Sequence, residues 1–276
     1  IQSRGKELAW DERNMVSSHG APGTVGCIQL RGEYLYASQG DGVQVYDVAS
    51  IANKGISQRI ITAPFGPLGH DAHISTKNAT CVALPTEQPI APFKQQLYGP
   101  ELMFETNLEQ PFHPLYSYAY ISDSEEGLVV FNSETFQDGE PRNNFIERAA
   151  TFNPNGVLNG ASFLKVRGEF IYMTTPRGVV VVNIDNPTSP ELVTEIPIAG
   201  ARYVDHMFRY LFVTSDKGLH IVDVTEQTAP KIVPDAFIPL ADAQNLHVAR
   251  TYAYVAAGRE GMAIIDVKNP ERPSVF

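Results

Sequence analysis

Short runs of alternating apolar and polar residues recur along the chain, and the last of them is the clearest. Residues 251–256 (TYAYVA) alternate aromatic and small side chains, a polar turn ends at Gly261, and 262–267 (MAIIDV) form a second apolar run. This pattern predicts two strands joined by a turn, that is, one antiparallel hairpin. The proline-bounded segment 269–273 (NPERP) follows and predicts an exit from the sheet.

The same hairpin pattern recurs upstream. Each copy has an aromatic-rich hexapeptide, a turn glycine, and an apolar run that carries Asp or Asn five residues after the glycine. The glycines are Gly42, Gly127, Gly178, Gly218 and Gly261, separated by 85, 51, 40 and 43 residues. The first gap is two periods long, so it predicts a degenerate copy whose first two strands fall within 70–85.

A period of about 40–50 residues that carries strands and no helical pattern is typical of β-propellers, with one four-stranded blade per repeat. The copies therefore predict an all-β fold, a β-propeller with six four-stranded antiparallel blades, or alternatively seven. Residues 20–276 form the propeller in this prediction, with insertions at 86–112 and 136–157. Residues 1–19 are interpreted as an N-terminal arm, or alternatively as a linker to an upstream domain.

These residues also carry a family resemblance. The sequences Y-A-Y-V-A, G-x-x-I-I-D-V and N-P-x-x-P within 252–273 resemble the LVIVD repeat of β-propellers, and similar sequence covers 20–48, 113–135 and 158–276. The resemblance implies an extracytoplasmic protein of a bacterial or archaeal kind. Some larger proteins of this kind join the repeats to multihaem cytochrome segments. No C-x-x-C-H occurs in this chain, so the resemblance implies a cytochrome only as a partner.

Charge and hydrophobicity exclude several function classes. The formal net charge of −10 and the pI near 5.2 predict a surface that repels phosphate backbones and anionic lipid headgroups. No apolar run approaches the roughly 20 residues that a membrane helix requires. We therefore expect no nucleic-acid partner and no membrane span.

The two cysteines, Cys27 and Cys81, fall in predicted strands of neighbouring blades. A disulfide between them and two buried free thiols are both compatible with this placement. A structural zinc site is not, because it requires four ligands and no C-x-x-C pair is present.

Candidate chemistry is best sought where the innermost strands begin, because those starts converge on a propeller's axis. Aligning the repeats there shows mostly small residues, against which a few charged side chains and histidines stand out. The candidate ligand residues at this channel mouth are His70, Asp71, His113, Arg202 and Asp242. Such a cluster could bind a metal or place an acid beside a base. Polar residues that line a propeller channel usually hold only ordered water and each other, and this is the interpretation we favour. We expect no metal, no cofactor and no catalytic residue.

The repeated acidic residues Asp47, Asp223 and Asp266 raise the question of calcium. Each stands alone at a strand end, without the D-x-D-x-D-G pattern of a calcium loop. We expect the Asp and Asn side chains at this position to accept backbone N–H groups in the turn that follows.

The sequence therefore favours a non-catalytic, extracytoplasmic scaffold for protein–protein interactions, within a cytochrome-associated redox assembly or a cell-surface assembly. Loops 52–69, 86–112 and 136–157 are the expected docking segments, since loops on a rigid scaffold commonly carry function. The competing hypothesis is an enzyme, a hydrolase or lyase, with its active site at the channel mouth.

Overall fold

The computed structural model describes residues 25–32, 34–47, 72–88, 112–137 and 144–276, and these form an all-β structure. Their 21 strands make five antiparallel sheets, each following a path of four strands, with one additional short strand in the fourth sheet. The predicted fold class and the four-stranded sheets are confirmed. The blade number of six or seven is not confirmed by the described residues.

The first two sheets have the following strands. Sheet 1 contains β1 (Val25–Arg31), β2 (Tyr34–Gln39), β3 (Gly42–Asp47) and β4 (His73–Ser75). Sheet 2 contains β5 (Ala79–Ala83), β6 (Tyr118–Asp123), β7 (Gly127–Asn132) and β8 (Glu147–Phe152).

The remaining three sheets follow directly along the chain. Sheet 3 contains β9 (Phe163–Arg167), β10 (Phe170–Thr175), β11 (Gly178–Asn183) and β12 (Glu191–Ile196). Sheet 4 contains β13 (Ala201–Met207), β14 (Tyr210–Ser215), β15 (Gly218–Asp223) and the short outer strands β16 (Lys231–Ile232) and β17 (Ile238–Pro239), which both pair with β15. Sheet 5 contains β18 (Leu246–Ala249), β19 (Tyr252–Ala256), β20 (Met262–Asp266) and β21 (Ser274–Val275).

The prediction that residues 70–85 supply the first two strands of a separate blade was wrong. β4 is the outer strand of sheet 1, where Ile74 pairs with Val43, and β5 is the first strand of sheet 2, next to β6. The long gap in the repeat therefore lies inside sheet 2, between its first and second strands. The alternating apolar pattern of 79–83 was recognised correctly, but periodicity alone does not say which sheet a strand joins.

The described residues fall into two compact units. The first comprises the described residues up to Ile121, with 128–151 and 186–188, and the second comprises 122–127, 152–185 and 189–276. The predicted arm 1–19, loop 52–69 and most of the predicted insertion 86–112 lie outside the described residues. Within the described part of the chain, no helix has the length and hydropathy needed to cross a bilayer.

In four of the five hairpins, the turn glycine is needed because the backbone of another strand approaches it closely. Gly178 opens β11 with φ +152°, and a Cβ there would lie 2.1 Å from the carbonyl oxygen of Ile196 on β12. Gly218 makes the same approach to Ile238 at 2.1 Å, with φ +145°. Any side chain would push the outer strand away from the third strand, which is why the repeat carries glycine at its turn.

The Asp or Asn at the end of the third strand terminates that strand. The Oδ1 atoms of Asn132, Asn183, Asp223 and Asp266 each accept the backbone N–H two residues further on, at 2.7–2.9 Å. This Asx turn bends the chain out of the sheet. The predicted turn role is confirmed at these four positions, while the Asp47 side chain lies outside the described atoms.

The hydrophobic core lies between the faces of consecutive sheets. In the first unit, Tyr36, Val43 and Val45 of sheet 1 pack with residues such as Val82 and Ile121 of sheet 2. In the second unit, Phe212, Leu219 and Ile221 of sheet 4 pack with Val255 and Ile265 of sheet 5. Because these strands are covered on both faces, runs such as β11 are apolar throughout rather than alternating.

Candidate functional site

Hydroxyl groups on the second strands fix the neighbouring first strands, where the candidate residues lie. The Oγ1 of Thr174 donates to the carbonyl of Arg202 at 3.2 Å, and the Oγ1 of Thr214 donates to the carbonyl of Gln244 at 2.5 Å. In the first unit, the Oγ of Ser38 donates to the carbonyl of Thr80 at 3.2 Å. The three donors are the last residues of their aromatic-rich hexapeptides. In each of these three pairs of consecutive sheets, a buried hydroxyl therefore joins one sheet to the next.

Arg202 and Asp242, two of the predicted site residues, are in direct contact. Arg202 lies on β13 and Asp242 just before β18, and Nη1 of Arg202 is 2.6 Å from Oδ1 of Asp242. The same Nη1 donates to the carbonyl of Ala243 at 3.1 Å. These two candidates therefore meet where neighbouring first strands begin, while their role as ligand residues at a channel mouth stays a prediction.

The surroundings of Asp242 keep its carboxylate ionised and in place. Hydrogen bonding by Arg202 is the main cause that lowers the pKa of Asp242, and Nε2 of Gln244, 2.6 Å from Oδ1, acts in the same direction. Gly258 has φ +54°, and a Cβ there would lie 2.3 Å from Oδ2 of Asp242. The side chains of Arg202 and Asp242 are 36% and 46% exposed, so this ion pair borders solvent.

Of the other three predicted site residues, the structure describes only His113. His70 and Asp71 lie outside the described residues. His113 belongs to the first unit, where it precedes a 3-10 helix, Pro114–Ser117, and its Nδ1 accepts the backbone N–H of Leu115 at 3.2 Å. That bond assigns His113 a local capping role, which the sequence analysis did not anticipate.

A second polar cluster, which lies in the second unit with Arg202 and Asp242, was missed by the sequence analysis. Asp205 of β13 is 7% exposed, and its Oδ1 lies 2.9 Å from Nζ of Lys165 on β9. Its Oδ2 accepts the backbone N–H of Val248 on β18 at 3.0 Å and lies 3.6 Å from Nδ1 of His247. One carboxylate thus joins the first strands of three consecutive sheets.

The charge state of this cluster follows from its contacts. Burial by itself would raise the pKa of Asp205, but the ammonium of Lys165 and the N–H groups of Val248 and His206 outweigh burial and lower it. Burial lowers the pKa of His206, and the positive charge of Lys165 lowers it further. The carboxylate of Asp205 is therefore ionised, and the imidazole of His206 is neutral, near pH 7.

A register argument could have found this cluster. In sheets 1, 3, 4 and 5, counting back five residues from the first aromatic residue of the second strand reaches Gln29, Lys165, Asp205 and His247, respectively. These residues share one place on the first strand. The sequence analysis aligned strand starts instead, and a bulge near the start of β13 shifts that register by one residue.

The cysteines form a disulfide, Cys27–Cys81, that joins β1 to β5. The sequence was compatible with either a disulfide or two free thiols, and the structure contains the disulfide. Between sheets 3 and 4, the stacked rings of Phe163 and Tyr203 occupy the equivalent place, with centroids 3.7 Å apart. Each of these four residues lies on a first strand, so a covalent bond and a ring stack occupy matching positions.

Arg31, at the end of β1, carries a fully buried charge in the first unit. Its guanidinium donates to the carbonyls of Thr86 and Tyr118 at 3.3 Å and to Oγ of Ser133 at 3.2 Å. Burial lowers the pKa of Arg31. The arginine joins sheet 1 to sheet 2 and to the segment after β5, which is a structural role.

These clusters share one chemical property, namely that their strongest polar contacts are made between neighbouring strands of the protein. Arg202, Asp205 and Arg31 each bond to a neighbouring sheet. Nothing in these contacts places a nucleophile beside a base. The expectations of no metal, no cofactor and no catalytic residue stay predictions.

Comparison with known proteins supports the repeat and the fold. The LVIVD repeat model matches residues 160–196, 209–234 and 241–276, which confirms the resemblance in that part of the chain. No sequence among the curated proteins matches the chain significantly.

Solved structures with a similar fold are β-propellers. The Cps50 (Swd1) β-propeller domain of Myceliophteria thermophila has 13% identity and a TM-score of 0.55, over 93% of this chain and 72% of that one. The Pan2 WD40 domain of Neurospora crassa has 12% identity and a TM-score of 0.51, over 91% and 64%. At these identities the likeness shows the fold alone.

A third similar structure is PorZ of Porphyromonas gingivalis, an essential bacterial surface component of the type-IX secretion system. It has 16% identity and a TM-score of 0.51, and the match covers 96% of this chain. The chain spans only 27% of the length of PorZ.

Proposed function

We propose that this protein is a non-catalytic β-propeller that acts as a scaffold for protein–protein interactions outside the cytoplasm. The observation that carries the proposal is the contact between Arg202 and Asp242. These residues are two of the five ligand candidates of the sequence, and their charges interact with each other between two sheets. A stiff framework that presents binding segments requires such internal contacts and no reactive group.

The extracytoplasmic location is supported by the Cys27–Cys81 disulfide. Structural disulfides persist in oxidising compartments and are rare in the cytosol of ordinary mesophiles. The PorZ similarity is compatible with a surface location, since PorZ is itself a bacterial surface component.

The docking segments are proposed to be loops 52–69, 86–112 and 136–157. The first, and most of the second, lie outside the described residues. In the third, the described residues 147–152 form β8, so only the remainder of 136–157 is available as a loop. The proposed partner is a protein, and the resemblance to LVIVD proteins suggests a multihaem cytochrome or another component of a surface assembly. The blade number of six, or seven, stays a prediction alongside these assignments.

Deletion of residues 89–111 tests the proposal. The deletion must spare Thr86 and Glu87, because their carbonyls accept from the Arg31 side chain and the Gly32 N–H. We expect the variant, closed by a short Gly-Ser linker, to lose the protein that co-purifies with the wild type from an envelope fraction. Haem staining of the captured proteins tests for a cytochrome.

A matched control is Ile232→Ser on the exposed strand β16, which should retain the partner. Both variants should unfold at the wild-type temperature. Retention of the partner by a correctly folded deletion variant would exclude 86–112 as the docking loop. Absence of any specific partner of the wild type would contradict the scaffold function itself.

A further inference from the structure

The imidazole of His206, on β13, has an unsatisfied nitrogen. Its Nδ1 is buried and has no hydrogen-bond partner among the described residues. A neutral imidazole can keep this nitrogen as a lone pair, whereas an imidazolium carries an N–H on both ring nitrogens. Protonation would therefore add a donor at a place where the described residues offer no acceptor, and an unpaired buried donor costs free energy.

Two cationic side chains of sheet 3 reach β13 on either side of His206. Nζ of Lys165 lies 2.9 Å from Oδ1 of Asp205, the residue before it. Nη2 of Arg167 donates to the carbonyl oxygen of Phe208, two residues after it, at 2.6 Å. These two contacts are here called the joint between sheets 3 and 4. Both cations act on the imidazole of His206 and oppose a third positive charge there.

One carboxylate offsets these cations in part. Asp205 favours a proton on His206, but this carboxylate is shared with Lys165 and with the backbone N–H of Val248. Burial and the two cations outweigh it, so the pKa of His206 lies below its ordinary value of 6.5. The intact joint therefore holds a neutral imidazole.

The neighbouring strands complete the surroundings of His206. β10 carries Tyr172, which interacts with the guanidinium of the joint. β18 carries His247, whose Nδ1 lies 3.6 Å from Oδ2 of Asp205, and on β14 the residue paired with His206 is the apolar Leu211. The titratable groups around this imidazole are thus the two cations of β9, one shared carboxylate, a phenol and a second imidazole.

We propose that His206 is an acid-sensitive switch for the joint between sheets 3 and 4. When the imidazole takes up a proton, Lys165 and Arg167 repel the new charge and the N–H at Nδ1 lacks an acceptor, so the joint loosens. Acid thereby weakens the contact between two consecutive sheets with no change in covalent structure. This inference does not rest on the proposed scaffold function, and it applies equally to an enzyme with this fold.

The direction of the pH effect follows from the two states of the chain. In the unfolded chain, His206 takes up a proton near pH 6.5, whereas in the folded protein it does so only at a lower pH. Its contribution to stability is therefore fully present above about pH 6.5 and is lost as the pH falls through the folded pKa. Between these two values, this one group raises the unfolding equilibrium constant by up to about tenfold per pH unit.

Proton NMR of the purified protein measures the titration of the His206 imidazole directly, with its resonances assigned through the backbone. We expect a titration midpoint below pH 6.5 in the wild type. Lys165→Met should move this midpoint to higher pH, because one repelling charge is removed. Lys217→Met is the matched control, since Lys217 is exposed in the turn between β14 and β15, and it should leave the midpoint unchanged.

Urea unfolding at a series of pH values from about 7.5 to 5 measures the consequence for the joint. His206→Gln cannot take up a proton, so the stability of the wild type relative to this variant should fall with pH, by up to about tenfold in the unfolding equilibrium constant per pH unit. Parallel pH profiles of the two proteins would overturn the proposal. A wild-type titration midpoint at or above pH 6.5 would also overturn it, and that measurement decides even if His206→Gln fails to fold.

Discussion

The Oγ1 of Thr214 donates to the carbonyl of Gln244, a bond that joins sheet 4 to the first strand of sheet 5. The Thr214 side chain is fully buried. We predict that Thr214→Val lowers the free energy of unfolding by about 1–3 kcal/mol, because the carbonyl loses its donor without a change in side-chain shape. Urea unfolding measures the difference.

A matched control for this change is Thr228→Val. Thr228 is exposed and its hydroxyl bonds to Glu226 on the surface, so the substitution should cost less than about 0.5 kcal/mol. Equal effects at the two positions would show that the hydroxyl between the sheets contributes nothing specific.

Removal of the disulfide should destabilise the first unit. The bridge joins residues 54 apart in sequence, and closing a loop of that length constrains the unfolded chain by up to about 4 kcal/mol. We predict a loss approaching this value for the double variant Cys27→Ser, Cys81→Ser, measured by urea unfolding under oxidising conditions.

Reducing agent provides the internal control for that measurement. It should lower the stability of the wild type towards that of the double variant, and it should leave the variant unchanged. If the free energy of unfolding of the wild type did not change after the disulfide was shown to be reduced, a stabilising role for Cys27–Cys81 would be contradicted.

Asp205 should make the free energy of unfolding depend on pH in the acid range. Its pKa is lower in the folded protein than in the unfolded chain, so its contribution is present above the unfolded value near 3.9 and is lost as the pH falls through the folded pKa. We predict that Asp205→Asn costs about 1–3 kcal/mol at pH 7, and that the difference from the wild type shrinks below about pH 4.

Unfolding free energies between pH 7 and pH 2 test this dependence. Asp235 is exposed, and Asp235→Asn is the matched substitution, which should run parallel to the wild type. A constant difference between wild type and Asp205→Asn over the whole range would mean that the carboxylate charge is not what joins β9, β13 and β18.

The ion pair at the predicted channel mouth separates the scaffold from the competing enzyme hypothesis. Because the pair borders solvent, Arg202→Ala should change the free energy of unfolding only slightly and should leave partner capture unchanged. A hydrolase or lyase activity of the wild type that disappears in Arg202→Ala, with the fold retained, would instead favour the enzyme.

The repeat made most of the fold predictable. Each turn glycine and each terminal Asp or Asn is a local requirement, so their spacing identified the hairpins and the turn role of Asp223 and Asp266 directly. The assignment of 70–85 failed because a strand's partner depends on the distant residues that pair with it, and β5 pairs with a strand more than 30 residues later.

The candidate site was predictable only in part, for a related reason. Arg202 and Asp242 stood out because small residues surround them in sequence. Asp205 lies in the middle of β13, and its importance comes from contacts with Lys165 and Val248, which lie 40 and 43 residues away in the sequence, before and after it. An alignment of the repeats on the pairing register of their first strands would have placed Lys165, Asp205 and His247 at equivalent positions. The bulge near the start of β13 shifts that register relative to the strand starts.

The hydroxyl that joins one sheet to the next binds a main-chain carbonyl, as Thr174 does at Arg202 and Thr214 at Gln244. Every amino acid has that carbonyl, so this hydrogen bond does not depend on which residue accepts it. A repeat could therefore be duplicated, or its first strand rewritten, without a compensating change in the repeat before it.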